Sequence, residues 1–344
     1  MKKSRFVLKI FFLFLNIWFV EQAFHFNAFA ATPGSRLYTD KITIGTETWT
    51  GYFPLYVAEE KGYFKEAGLD VDVKLYVGLG DLSKDYVAKK MQGRANLTLD
   101  AAKESSEGID HRVVLAIDYS NGADAIVARK EISSVQDFKG KRVGYEAGTL
   151  EEFFLSWALN ENGMQLSDVV AVPGNPEETA KMLKEGKIDV AVSHEPFVSK
   201  FISSGEFHVV YSSANAPGLI TDILTFRTDF IEAHPETIQA IIGAYFKALS
   251  FWKEHPAEAN AIIAKKFSDT PEGIAEQLKG VTMLDERDNA DAFTFSAGLR
   301  SLYGNLRHIG KFVNQHEQTA KPLDTDTLVE SKFIKGLLDA SDRS

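Results

Sequence analysis

The side chains able to do chemistry here are mostly carboxylates and aromatics set where strand-like runs end. Asp100, with Thr98, closes a short run at 96–100. Asp118 and Tyr119 close the run at 113–119. Glu195 precedes a proline at another strand end, and Asp222 lies where the chain returns into the run at 220–227. Trp49, Tyr52 and Phe53 crowd the loop 47–53 (ETWTGYF), which follows the first strand. Aromatic faces there could stack on a flat or cationic ligand, or pack between two parts of the fold. A buried carboxylate without a partner is costly. If Asp100, Asp118, Glu195 and Asp222 line one cleft, either Arg and Lys pair with them or a solute supplies N–H donors. The second case points to an amine, amidine or aminopyrimidine. Asp118 has a structural alternative, fixing a chain crossing. Gly148 and Thr149 precede a helix whose free N–H groups suit an anion. Glu151 and Glu152 occupy its first turn, where they match the helix dipole and oppose a bare anion.

Other chemistries find little support. The eight histidines are scattered, with no HxH or HExxH spacing, so no metal is expected. There is no nucleophile elbow and no phosphate loop, and no cofactor is expected. Cysteine is absent, which removes disulfides, thiolate ligands and thiol nucleophiles. The 38 Lys and Arg stand against 48 Asp and Glu, a net charge of -10 without a dense basic cluster. Such a chain repels a nucleic-acid backbone.

The elements that must position these residues alternate. Strands are expected at 41–46, 70–76, 96–100, 113–119, 123–128, 142–146, 169–172, 188–193, 208–211 and 220–227, with helices between many of them. The helices include 55–63, 82–92, 151–161 and 177–184. From Pro235 onward the chain reads as mostly helical, with an apolar face at 237–252 and a last helix at 326–339. This rhythm is α/β. The 344 residues favour two lobes over one core. The loops 118–124 and 215–222 are the best crossings. They divide the chain into a discontinuous first lobe, 31–119 and 222–344, and an inserted second lobe, 120–221, with a cleft between. Residues 1–30 have a basic start, an apolar run at 10–20 and the sequence Ala28-Phe29-Ala30, the plan of a cleavable secretory signal. Export with no Cys suits a Gram-negative periplasm.

The string GYFPLYVAEEKGYFKEAGLDVDV at 51–73 resembles the opening of the nitrate/sulfonate/taurine class of periplasmic solute-binding proteins, which includes thiamine-pyrimidine binders. VQDFKGKRVG at 135–144, Gly148-Thr149, LKEGKIDVAV at 183–192 and His194-Glu195-Pro196 follow in the family's order. The resemblance implies a two-lobe (type II) clamshell, each lobe a mixed sheet flanked by helices. It also implies ligand-facing residues at Gly148 and Thr149, and hinge closure on a small polar organic solute, amine-containing, aminopyrimidine or taurine/sulfonate-like, that is handed to the permease of an ABC importer. A monomer is expected. A ligand-presenting sensor would look the same in sequence. A pyrimidine-synthase-like enzyme shares the fold, but its relatives carry a cysteine-rich motif that this chain lacks.

Overall fold

The computed structural model describes residues 37–76, 79–316 and 323–341; the expected secretory segment lies outside them. The chain first lays down strands β1 (Ile42–Thr46), β2 (Val71–Leu75), β3 (Gly93–Leu97) and β4 (His111–Ser120). It then builds a second sheet from β5 (Asp124–Arg129), β6 (Arg142–Tyr145), β7 (Val170–Pro173), β8 (Val190–His194) and β9 (Phe207–Ser212). Finally it returns to the first sheet as β10 (Thr221–Arg227) and β11 (Val281–Met283). The strand orders are β11-β4-β10-β3-β1-β2 and β7-β6-β8-β5-β9. Both sheets mix parallel and antiparallel pairs, because a strand entering from the other sheet runs against its neighbours. This is the two-lobe clamshell with helices against each sheet.

The run Val113–Ile117 is fully buried, since the sheet it crosses is covered on both faces. One cover is the helix Pro235–Glu254. Its proline occupies the first turn, where no N–H partner is lost. Ile238, Ile241, Ile242, Tyr245, Phe246 and Leu249 form its buried stripe. It packs on the helix Phe53–Glu60, which carries the chain away from the aromatic loop.

The two crossings are bonded to each other. The hydroxyls of Ser120 and Ser213 lie 2.7 Å apart, and the Gly122 N–H donates to Ser213 Oγ at 2.7 Å. Gly280 O accepts from the N–H groups of Asn121 and Ala123 at 2.8 and 3.2 Å. Asn305 Nδ2 donates to Gly218 O and Leu219 O at 2.7 and 2.8 Å. Gly218 has φ +87, and a Cβ there would lie 2.7 Å from Leu299 O, so glycine alone fits. The lobes also touch beyond the crossings. Lys103 Nζ donates to Gly148 O at 2.9 Å, and the rings of Phe153 and Phe312 pack 5.2 Å apart.

Several boundaries differ from expectation. The strand expected at 96–100 is β3, Gly93–Leu97, and Thr98 opens the helix Thr98–Ser106. Asp100 in that first turn complements the helix dipole, which favours helix over strand. The helix expected at 326–339 begins only at Lys332. Thr325–Leu328 is a 3-10 turn, and Val329 bridges to Val113. The strand β11 and the helices Glu286–Ala292 and Leu302–His316 have no counterpart among the expected elements.

Candidate functional site

The candidate site lies where the C-terminal end of β4 meets the start of β10. Asp118 and Asp222 are paired directly across these antiparallel strands. Residues so paired point to the same face. A register shift between Asp222 and Ile223 leaves Ile117 without a partner on β10. Its carbonyl accepts from the Leu284 N–H (2.9 Å) and the Tyr245 hydroxyl (3.3 Å) instead. Asn289 clasps the adjacent Ala116, accepting from its N–H and donating to its carbonyl, both at 2.9 Å. Such bulges re-aim side chains beside functional sites.

Both carboxylates are buried, Asp118 at 0% exposure and Asp222 at 2%. Trp49 Nε1 lies 3.3 Å from each oxygen of Asp118. The Tyr52 hydroxyl donates to Asp222 Oδ1 at 2.5 Å. Between these aromatics, the 3-10 turn Thr50–Tyr52 presses its backbone onto Asp118. A Cβ on Gly51 would fall 1.7 Å from Asp118 Oδ2. Burial holds Asp118 above the usual carboxylate range, against the indole N–H, with Asp124 adding to the rise. Burial and then the Asp118 charge hold Asp222 well above the usual carboxylate range. Glu47, in the same loop as Trp49, is pushed up to about 7 by burial and then by Asp100.

The second lobe faces this pair with its own acids. Asp124 is opposite His194 across β5 and β8, and burial pushes it up to about 6. His194 Nδ1 lies 3.5 Å from Glu151 Oε1. Burial works against a charged imidazole there, but Glu151 and Asp124 outweigh it and hold His194 above its ordinary value. At the start of the helix Leu150–Glu161, Thr149 Oγ1 accepts from the Glu151 N–H at 3.3 Å and bonds closely to the Glu151 carboxylate. The Gly148 N–H donates to Glu152 Oε2 at 2.7 Å. The chain's own carboxylates therefore already engage donors at the place where an anion was expected to sit.

The structure brings Trp49, Tyr52, Asp118 and Asp222 together. Gly148 and Thr149 lie across from them on the other lobe. Asp100 stands beside Glu47, and its buried Oδ2 has no hydrogen-bond partner among the described residues. Thr98 is buried in the first helical turn instead of ending a strand. Tyr119 departs from expectation. Strand alternation turns it to the face opposite Asp118, and its ring lies 5.9 Å from the Arg300 guanidinium. Glu195 departs in part. Its carboxylate accepts from the Ser199 N–H (3.2 Å) and hydroxyl (2.9 Å), capping the helix Phe197–Ile202, though it remains near Asp124. Phe53 is core, packed on Phe267 and Trp252. Sequence reasoning missed Glu47, Asp124 and His194 as members of the group. Only the cross-strand pairing of 124 with 194 reveals the last two.

Among the described residues, no Lys or Arg forms an ion pair with Asp118, Asp222, Asp124 or Glu47. No group of three or more His, Asp or Glu among them is arranged to hold a metal ion. The buried Arg94 pairs closely with Glu104, beneath the helix Thr98–Ser106, and reaches the site only through its field on Glu47 and Asp100.

Known proteins resemble this chain in sequence and in fold. A putative binding protein of Brucella abortus is 25% identical over 221 residues, 61% of this chain and 66% of that protein, so the match spans just under two thirds of its length. A putative aliphatic sulfonates-binding protein of Bacillus subtilis is 25% identical over 301 residues, 83% of this chain and 85% of that one. The periplasmic aliphatic sulphonate binding protein SsuA from Escherichia coli superposes with a TM-score of 0.71 at 14% identity. It covers 86% of this chain and 99% of its own, a likeness of fold. The NMT1/THI5-like family pattern matches residues 49–259, well over half of the sequence, and the chain belongs to that family.

Proposed function

We propose that this protein is the periplasmic solute-binding component of an ABC importer, and that it traps a small amine-bearing solute between its two lobes without altering it. The observation that carries the reading is the carboxylate pair Asp118–Asp222, buried beside Trp49 and Tyr52 and faced by Asp124 from the other lobe. An ammonium, amidinium or aminopyrimidine adds N–H donors to the neutral ones that Trp49 and Tyr52 supply, and Trp49 offers an aromatic wall. The related proteins named for sulfonates support the transport role and suggest an anion. The acids of this cleft oppose one: a sulfonate placed at Gly148 and Thr149 would displace Glu152 and meet Glu151. The solute binds one lobe first, and contacts from the second lobe, made only when the halves meet, shift the equilibrium toward closure. The closed form then docks on a membrane permease.

A thermal-shift screen of the purified protein against amines, aminopyrimidines, amino acids and simple sulfonates tests this, because a ligand of the native state raises the melting temperature. Stabilisation by amine-bearing solutes is expected. Tight binding of methanesulfonate, with no response to any amine, sinks the amine reading. Turnover of a bound compound sinks the binding role.

A further inference from the structure

We propose that Asp118 and Asp222 share one proton in the solute-free protein, and that a cationic solute displaces it to solvent on capture, so that binding is a one-for-one exchange of cation for proton. This exchange rests on the amine-bearing solute proposed above and adds a regulation to the same site.

The argument begins with the strand register. Asp118 on β4 and Asp222 on β10 are directly opposed, so their Cα atoms are about 4.5–5.5 Å apart and their carboxylates share one face. Two buried carboxylates on directly opposed residues do not both ionise readily. The groups facing them confirm the sign of the field. The turn Thr50–Tyr52 and its flank supply neutral donors, the Trp49 indole and the Tyr52 hydroxyl. Burial raises Tyr52 far enough to keep its proton. The loop after β1 supplies Glu47, and β5 supplies Asp124, both acids. The helix Pro235–Glu254 supplies Tyr245, also held protonated by burial. No Lys or Arg among the described residues pairs with either carboxylate.

The Trp49 N–H, within reach of both Asp118 oxygens, favours a charge on that side. The most stable unliganded state thus holds a single negative charge and one proton between two acids. A cation arriving at the pair makes the doubly ionised form the better one, and the proton leaves. Asp124, belonging to the other lobe, adds its field to both states as the lobes meet.

The test is isothermal titration of the full protein with putrescine, ethanolamine and methanesulfonate, at pH 6.5, in buffers of low and high ionisation enthalpy. For the cation that binds, the measured heat should vary with buffer ionisation enthalpy at a slope of about one proton released per cation. Its Kd should tighten by about tenfold per pH unit between roughly pH 5.5 and 7.5. Asp222→Asn, which keeps the shape of the protonated acid, should fold, bind the cation at least tenfold more weakly and lose the buffer dependence. If that variant does not fold, the wild-type buffer series decides alone. Cation binding with no proton release and a flat pH profile overturns the exchange but leaves the amine reading standing. Binding of methanesulfonate and of neither amine overturns both.

Discussion

His194 stands opposite Asp124 across β5 and β8 and reaches on to Glu151 at 3.5 Å, so one imidazole serves two acids of the second lobe. Among the described residues no cationic side chain pairs with Asp118 or Asp222, which meet neutral donors from Trp49 and Tyr52, while Arg94 acts only on Glu47 and Asp100. The two walls of the cleft are therefore unequal. The second is partly neutralised from within, and the first awaits positive charge. On the proposed reading the cationic end of a solute would sit at β4 and β10, with its remainder toward the helix Leu150–Glu161.

The unequal walls fix how solute-free stability depends on pH. Burial pushes Glu47 up to about 7 and Asp124 up to about 6, and the Asp118–Asp222 pair, also raised by burial, keeps its shared proton well above the usual carboxylate range. The folded state then holds protons that the unfolded chain has already lost, and stability must fall as pH rises. His194, raised in the fold, acts in the same direction: its contribution is lost as pH passes its folded value. His111 opposes them, because burial pushes it down to about 4 and the unfolded chain takes up its proton below about 6.5. Above pH 6.5 the raised groups set the slope, Glu104, pushed up to about 7 by burial, acting with them. The melting temperature without solute should drop between pH 6.5 and 8.5, and Asp118→Asn should flatten the drop. A melting temperature that climbs over this range would contradict a protonated pair.

Gly51 is required by contact. A methyl at its Cα would occupy the place of Asp118 Oδ2, 1.7 Å away. Gly51→Ala must shift either the turn Thr50–Tyr52 or the carboxylate. Overpacking of this kind costs about 1–3 kcal/mol. Chemical denaturation should show a loss of that order, and the variant's solute affinity should fall more than its stability. An affinity equal to wild type would mean that Asp118 does not touch the solute.

Trp49→Phe separates the ring from its N–H. The stacking face stays, but Asp118 loses the donor at 3.3 Å from both its oxygens. A hydrogen bond to a charged acceptor contributes about 1.5–3 kcal/mol. Losing it makes the ionised carboxylate harder to form, so cation affinity should weaken by about tenfold or more, and the affinity's pH profile should move to higher pH. Titration at two pH values reads both effects. A profile that stays in place would assign Trp49 to stacking alone.

The alternation of strands and helices and the aromatic loop were legible in the sequence because each has a local signature: period-two apolar runs and a run of rings. Asp118 and Asp222 were legible as strand-end acids. Their partnership was not, because it depends on the register of two strands separated by more than a hundred residues and on a bulge at Ile117. Tyr119 shows the same limit from the other side. It neighbours Asp118 in sequence, yet the pleat sends it to the opposite face. The helix Leu302–His316 went unread because its role is set by distant partners: Asn305 holds the second crossing, and Phe312 meets Phe153 of the other lobe.

Lys103 tests whether the lobes close through contacts of their own. Its ammonium, from the helix Thr98–Ser106, donates to Gly148 O on the opposing lobe at 2.9 Å, beside the helix start that carries Glu151 and Glu152. An exposed contact of this kind stabilises by about 0.2–1 kcal/mol, enough to change an open-to-closed ratio by up to about fivefold. Its loss should not disturb the core, because Lys103 is half-buried and its bond to Gly148 is exposed. Lys103→Met should therefore leave the melting temperature close to wild type. It should enlarge the radius of gyration of the solute-free protein in small-angle scattering and weaken solute binding by a few-fold, since part of the binding energy is then spent on closure. An unchanged radius and affinity would show that the hinge bonds at Ser120, Ser213 and Gly280 set the lobe angle without help from the rim.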